Sequence, residues 1–266
     1  MDKLKFSVVL CSLICLWSCS NEWSPSETIL LGDVTPIGIS QIDNDIWISD
    51  GNNNRLVEID RKGKIIGAPI EIERPMHIAT SDHKLYIPSY GIDQILIKDG
   101  NQIDTLMVQD SLDAPAAVDV MGENIAVADF YNHRVLLKSD GAWKTIGGKG
   151  KSDGQMHYPT DIQFHGDRLF VADAYNNRGQ VFDLNGNHLL TFGEDLNFNA
   201  ATGIYVTDEH IYLTDFENDR VVLFNHQGEV DHMLEEGLSS PADVAIIDGQ
   251  LWVLNFAGKY ISTYSL

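Results

Sequence analysis

The chain has 266 residues, 44% of them hydrophobic, which is enough apolar material for a packed core and too much for a disordered chain. Its 39 acidic residues against 18 basic ones give a net charge of −21, a balance that repels phosphate backbones and disfavours nucleic acid as a partner. The three cysteines, Cys11, Cys15 and Cys19, all stand near the N-terminus, so the remainder has none with which to form an internal disulfide.

At the N-terminus, Lys3 and Lys5 precede an apolar run from Phe6 to Trp17. That run is too short to span a bilayer and has the layout of a signal peptide. Leu16-Trp17-Ser18-Cys19 resembles the lipobox of bacterial lipoproteins, whose cysteine is lipidated and becomes the mature N-terminus. The resemblance implies a signal peptide over residues 1–18, a lipid on Cys19, a polar tether over 19–27, and attachment to the bacterial cell envelope at the outer membrane. Because the leader carries Asp2, Lys3 and Lys5, residues 19–266 hold 16 basic and 38 acidic side chains and a net charge of −22. An acidic surface of this kind keeps an exported protein soluble.

From residue 28 onward the chain repeats. Six short apolar runs end in a polar residue, at Asp50, Ser89, Asp129, Asp173, Asp215 and Asn255. Fourteen residues before each stands Pro36, Pro75, Pro115, Pro159, Ala201 or Pro241, and the units are 39, 40, 44, 42 and 40 residues apart. This length fits four short strands joined by tight turns and leaves no room for a crossover helix, which excludes a parallel α/β fold. Each unit is read as an inner strand after the proline, a second strand ending at the polar residue, a third beginning near an arginine, and a fourth after a glycine turn at Gly63, Gly100, Gly141, Gly186 or Gly228. In the first unit the fourth strand is expected at Lys64-Ile65-Ile66. The sixth unit ends before a fourth strand, and Thr28-Ile29-Leu30-Leu31-Gly32 is expected to supply it from the other terminus, closing the ring.

The turn after the second strand reads Asp50-x-x-Asn53-x-Arg55, Asp129-x-x-Asn132-x-Arg134, Asp173-x-x-Asn176-x-Arg178 and Asp215-x-x-Asn218-x-Arg220. Four copies in phase resemble the NHL repeat over essentially all of residues 28–266. The resemblance implies an all-β, six-bladed β-propeller of four-stranded blades with a central channel, here expected to be monomeric. It implies no single activity, because such propellers include binding modules, scaffolds and enzymes.

The recurrence of the aspartate and arginine once per blade assigns Asp50, Arg55, Asp129, Arg134, Asp173, Arg178, Asp215 and Arg220 to blade architecture, since an active site is needed once per molecule. Two residues after the proline position the ring carries Gly38, His77, Ala117, Asp161, Gly203 and Asp243. Polar groups on alternate blades, His77, Asp161 and Asp243, are thus expected to converge at the channel mouth. Units two and six break the repeat at Tyr90 and Phe256, in turns that also carry Phe130, Tyr131, Tyr175 and Phe216 in the other blades. His77, Asp161, Asp243, Tyr90 and Phe256 are the candidate ligand-binding residues, and exposed aromatics among them suit sugar rings or a peptide.

Peptide-amidating lyases of similar repeat type resemble a zinc site built from inner-strand histidines, and here only His77 stands at such a position. Propeller lactonases place a glutamate there, and this chain has none at the corresponding positions. No cofactor and no metal ligand is assigned from the sequence; a calcium ion in the channel would need six to eight oxygens. Gly147-Gly148-Lys149-Gly150 lacks the rest of a phosphate-binding loop. The expectation is a non-catalytic envelope lipoprotein that binds a glycan, a peptide or a partner protein. The alternative is a metal-assisted, lactonase-like lyase or hydrolase acting at the central channel.

Overall fold

The computed structural model describes residues 23–266; the leader and Cys19 lie outside the described residues. The strands are β1 (Glu27–Leu30); β2 (Ile39–Ile42), β3 (Asp45–Asp50), β4 (Arg55–Ile59) and β5 (Ile70–Glu71) in blade one; and β6 (Ala79–Ser81), β7 (Lys84–Ser89), β8 (Gln94–Asp99) and β9 (Gln102–Thr105) in blade two. Blade three holds β10 (Pro115–Met121), β11 (Asn124–Asp129), β12 (Arg134–Ser139) and β13 (Ala142–Gly147), and blade four β14 (Pro159–His165), β15 (Arg168–Asp173), β16 (Arg178–Asp183) and β17 (His188–Phe192). Blade five holds β18 (Ala201–Val206), β19 (Ile211–Asp215), β20 (Arg220–Phe224) and β21 (Val230–Leu234). Blade six joins β22 (Pro241–Ile247), β23 (Gln250–Asn255) and β24 (Tyr260–Ser265) to β1, in the order β1-β24-β23-β22. The protein is a six-bladed antiparallel β-propeller closed by its N-terminal strand.

Alternation along the strands explains the core. In β3, Ile46 and Ile48 are fully buried and pack with Val57, Ile261 and Leu254, while Trp47 faces the neighbouring blade with Leu56 and Ile78. Both faces of the blades are covered, so the second strands read as near-continuous apolar runs. The fourth strand of blade one departs from the sequence reading. Ile65 makes only an isolated bridge to Ile59, and pairing resumes at Ile70–Glu71. Gly67, at φ +79°, and Pro69, which lacks an amide donor, interrupt the strand between them.

Two faces follow from strand direction. Inner strands start beside the ends of the second strands, as in the pairing of Pro115 with Asp129. The turns between second and third strands and the loops between blades therefore share one face, called here the turn face. The opposite, hairpin face carries the connections between first and second and between third and fourth strands.

Candidate functional site: a buried polar ring and an aromatic turn face

At the turns, Arg55, Arg134 and Arg220 each donate from Nε to Oδ2 of Asp50, Asp129 and Asp215 at 2.7 Å, and Arg178 does so to Asp173 at 3.0 Å. All four aspartates are fully buried, and their Oδ1 atoms accept amides from the preceding interblade loop at Thr35, Asp113, His157 and Asn199. Each aspartate thus ties its own turn to the loop that enters its blade.

One residue pair sets how closely inner strands approach. A Cβ on Gly38 would lie 2.7 Å from the Met76 carbonyl and 2.8 Å from the His77 Cα, and one on Gly203 would lie 2.5 Å from the Ala242 carbonyl. Small residues at 38, 117 and 203 alternate with His77, Asp161 and Asp243 around the ring, so three long side chains converge where three short ones make room.

His77, Asp161 and Asp243 are all buried, at 5%, 7% and 5% exposure. Nδ1 of His77 stands 3.7 Å from Asp161 Oδ2 and 3.6 Å from Asp243 Oδ2, beyond hydrogen-bonding distance, and has no partner among the described residues. Both carboxylates are oriented by backbone amides. Asp161 accepts from Ile162 at 2.9 Å and Ile204 at 2.8 Å; Asp243 accepts from Val244 at 2.8 Å and Ile39 at 2.9 Å. Burial lowers the His77 pKa, but the charges of Asp161 and Asp243 across the gap outweigh it and push it up to about 9. Burial holds the Asp161 carboxyl well above the usual carboxylate range against the pull of His77.

From this ring a cavity of about 270 Å³ runs toward the hairpin face, lined by Ser40, Thr80, Asp119, Gln163 and Tyr205 together with Asp161 and Asp243. Asp119 accepts amides from Val120 at 2.8 Å and Phe164 at 2.6 Å, yet burial still pushes its pKa up to about 6. Its folded pKa lies above the unfolded value, so its contribution to stability is fully present below about pH 4 and is lost as pH rises through 6. Urea unfolding should show the wild type losing on the order of 1–2 kcal/mol relative to Asp119→Asn between pH 4 and 7, less than the full shift because the carboxylate borders the open cavity. A pH-independent difference between the two proteins would show that Asp119 ionises normally.

On the turn face, blades two to four carry a continuous cluster of seven rings: Tyr90, Phe130, Tyr131, His133, His157, Tyr158 and Tyr175. Tyr158 sits at its centre, 4.7 Å from Phe130, 4.3 Å from His133, 4.6 Å from His157 and 4.9 Å from Tyr175 between ring centroids. Tyr131 and Tyr175 remain 48% and 60% exposed. The amide of Tyr158 donates to His133 Nδ1 at 3.2 Å, which requires that nitrogen to be unprotonated. Burial, then the neighbouring His157 and Lys149, accordingly lowers the His133 pKa. The guanidinium of Arg74 lies 4.7 Å over the Tyr90 ring.

Of the sequence candidates, then, His77, Asp161 and Asp243 meet in one buried cluster and Tyr90 belongs to the aromatic cluster. Phe256 packs against Phe216, at 5.5 Å, in blades five and six. Sequence reading passed over His133, His157 and Tyr158 as site residues. His157 and Tyr158 lie in the interblade loop before Pro159, outside the turn in which aromatics recur, and the signal for them was the 44-residue spacing into that unit, the longest of the five. Tyr158 has φ +60°, but Arg74, Ala114, Ala200 and Ser240 share that left-handed conformation at the same place, so it belongs to the repeat.

No protein-family model matches the chain, and no curated protein matches it in sequence. In structure it is similar to a streptogramin B lyase, with 17% identity and a TM-score of 0.67 over 90% of this chain and 86% of that one. It is also similar to virginiamycin B lyase from Staphylococcus aureus, at 17% identity and TM-score 0.66 over 90% and 88%. A gluconolactonase from Xanthomonas campestris matches at 13% identity and TM-score 0.73 over 90% and 89%. At these identities the likeness is one of fold, and the fold it shows is the six-bladed β-propeller.

Proposed function

We propose that the protein is a cell-envelope lipoprotein, anchored through Cys19, whose NHL-type propeller binds a glycan, a peptide or a partner protein on its turn face without transforming it. The observation that carries this reading is the seven-ring cluster spanning three blades, with Tyr131 and Tyr175 exposed. Rings that pack only to fill a core are covered; here Tyr131 and Tyr175 are left partly to solvent, in a cluster that also carries hydroxyl and imidazole groups able to hydrogen-bond. Such a surface combines stacking with polar recognition, as sugar rings and aromatic or proline-rich peptides require.

The test is a binding screen of glycans and peptides followed by substitution. Tyr131→Ala and Tyr175→Ala should each weaken a bound ligand by roughly 2- to 12-fold, the equivalent of 0.5–1.5 kcal/mol of stacking, with little change in melting temperature. Unchanged affinity in both variants would remove the turn face from the binding site.

A second reading, metal-assisted lyase or hydrolase action at the channel, is favoured by the buried His77, Asp161 and Asp243 and by the lyase and gluconolactonase among the fold neighbours. Turnover of a lactone that is lost in His77→Gln and retained in Tyr175→Ala would establish it in place of the first.

A further inference from the structure

The polar ring presents a problem that its hydrogen bonds do not solve. Buried donors and acceptors are almost always partnered, yet His77 Nδ1 has no partner among the described residues and lies 3.6 and 3.7 Å from two carboxylate oxygens. Those gaps are too long for a hydrogen bond. They match the edge of a coordination polyhedron, since two ligands each about 2.1 Å from a shared ion and 110–120° apart are about 3.4–3.6 Å from one another. All three ligand atoms lie within 4.8 Å of one another.

The donors are also prepared for a cation. Asp161 Oδ2 and Asp243 Oδ2 each already accept one amide, from Ile204 and Ile39, which fixes their direction and leaves a lone pair on each. The ring's two carboxylates are matched in charge by one divalent ion. The cavity beside them is lined by Ser40, Thr80, Gln163, Asp119 and Tyr205, giving a polar, acidic route from the hairpin face.

We propose that His77 Nδ1, Asp161 Oδ2 and Asp243 Oδ2 bind one divalent first-row transition-metal ion, of the Zn²⁺ or Mn²⁺ kind, at the constriction of the channel, with its remaining positions turned to the cavity. An imidazole and two carboxylates suit such ions, whereas calcium takes six to eight oxygens. The three ligands share no residue with the aromatic cluster, and the proposal does not depend on what the turn face binds.

The experiment uses the full-length protein, stripped with chelator at neutral pH and titrated by calorimetry with Zn²⁺ and, separately, Mn²⁺. One equivalent should bind, and His77→Gln should weaken it by more than about 100-fold, because even outer-shell partners of a metal typically contribute 10–100-fold. Since changing a buried residue can disturb folding, X-ray absorption of the zinc-loaded wild type supplies a second readout. It should show one imidazole with oxygen ligands making up the rest. Failure of the wild type to bind a stoichiometric ion would overturn the proposal. Binding undiminished in folded His77→Gln would overturn it as well. So would a spectrum with two or more imidazoles, which would move the ion to a pair such as His133 and His157.

Discussion

Removing residues 19–33 should lower the melting temperature by roughly 10–20 °C, whereas removing 19–25 should cost only a few degrees. The longer deletion takes away β1, whose Glu27, Thr28, Ile29 and Leu30 pair with Thr263, Ser262, Ile261 and Tyr260. It also takes Ile29 and Leu31, each 3% exposed, from a cluster that includes Ile261 and Trp252. Two buried aliphatic side chains contribute about 1.5–3 kcal/mol each, before counting the uncovered edge of β24. That sum is a large part of the 5–15 kcal/mol typical of a whole domain. The shorter deletion removes Trp23, which packs at the margin of the Tyr264 cluster, and leaves the strand. Equal melting of the two truncations in calorimetry would mean that the ring holds without its N-terminal strand.

Arg178→Ala should be the most damaging of the turn substitutions. Arg178 is 2% exposed and makes four bonds: to Asp173 at 3.0 Å, Glu194 at 2.8 Å, and the carbonyls of Ser152 at 2.9 Å and Gln155 at 3.1 Å. Truncation leaves Asp173 as a fully buried carboxylate, already held above its ordinary pKa by burial, without its cationic partner. Breaking one side of such a pair typically costs about 3–5 kcal/mol, or roughly 6–20 °C in a domain of this size. Arg178→Lys should fall between, because an ammonium keeps the charge but cannot fork to four acceptors. The pair of Arg61 with Asp248 is the control: its side chains are 38% and 60% exposed, so Arg61→Ala should cost at most about 1 kcal/mol. Melting curves for Arg178→Ala and Arg61→Ala that coincide would show that the turn arginines do not hold the blades.

The blade plan could be read from the chain because each blade repeats the same local pairing. The fourteen-residue offset from Pro115 to Asp129 is one hairpin, closed by that pair of residues, and the same hairpin recurs from Pro159 to Asp173 and Pro241 to Asn255. The need for a strand from the N-terminus followed from a sixth unit that lacked its fourth. Strand five was misplaced because the apolar Ile65-Ile66 looked like a strand, whereas the turn held by Asp60 and the break at Gly67 to Pro69 displaced the pairing onto Ile70. Phase also put His77, Asp161 and Asp243 at one level of the ring. Their separation depended on how closely neighbouring inner strands pack at Gly38 and Gly203, a contact between blades that no local pattern encodes. For the same reason the aromatic cluster was only half legible. Tyr90, Phe130, Tyr131 and Tyr175 recur in phase, but Tyr158, the ring that joins them, comes from an interblade loop of irregular length.

The direction of the closing strand sets the face from which the chain enters the propeller. As the outermost strand of its blade, β1 enters from the hairpin face and runs toward the turn face, and Trp23 just before it lies beside Thr207, Asp208 and Glu209 at the hairpin between the first two strands of blade five. A lipid on Cys19 would then tether the disc by the rim of its hairpin side, only a few residues from where the chain joins the fold. The cavity runs toward that same hairpin side, and the exposed tyrosines lie on the opposite face.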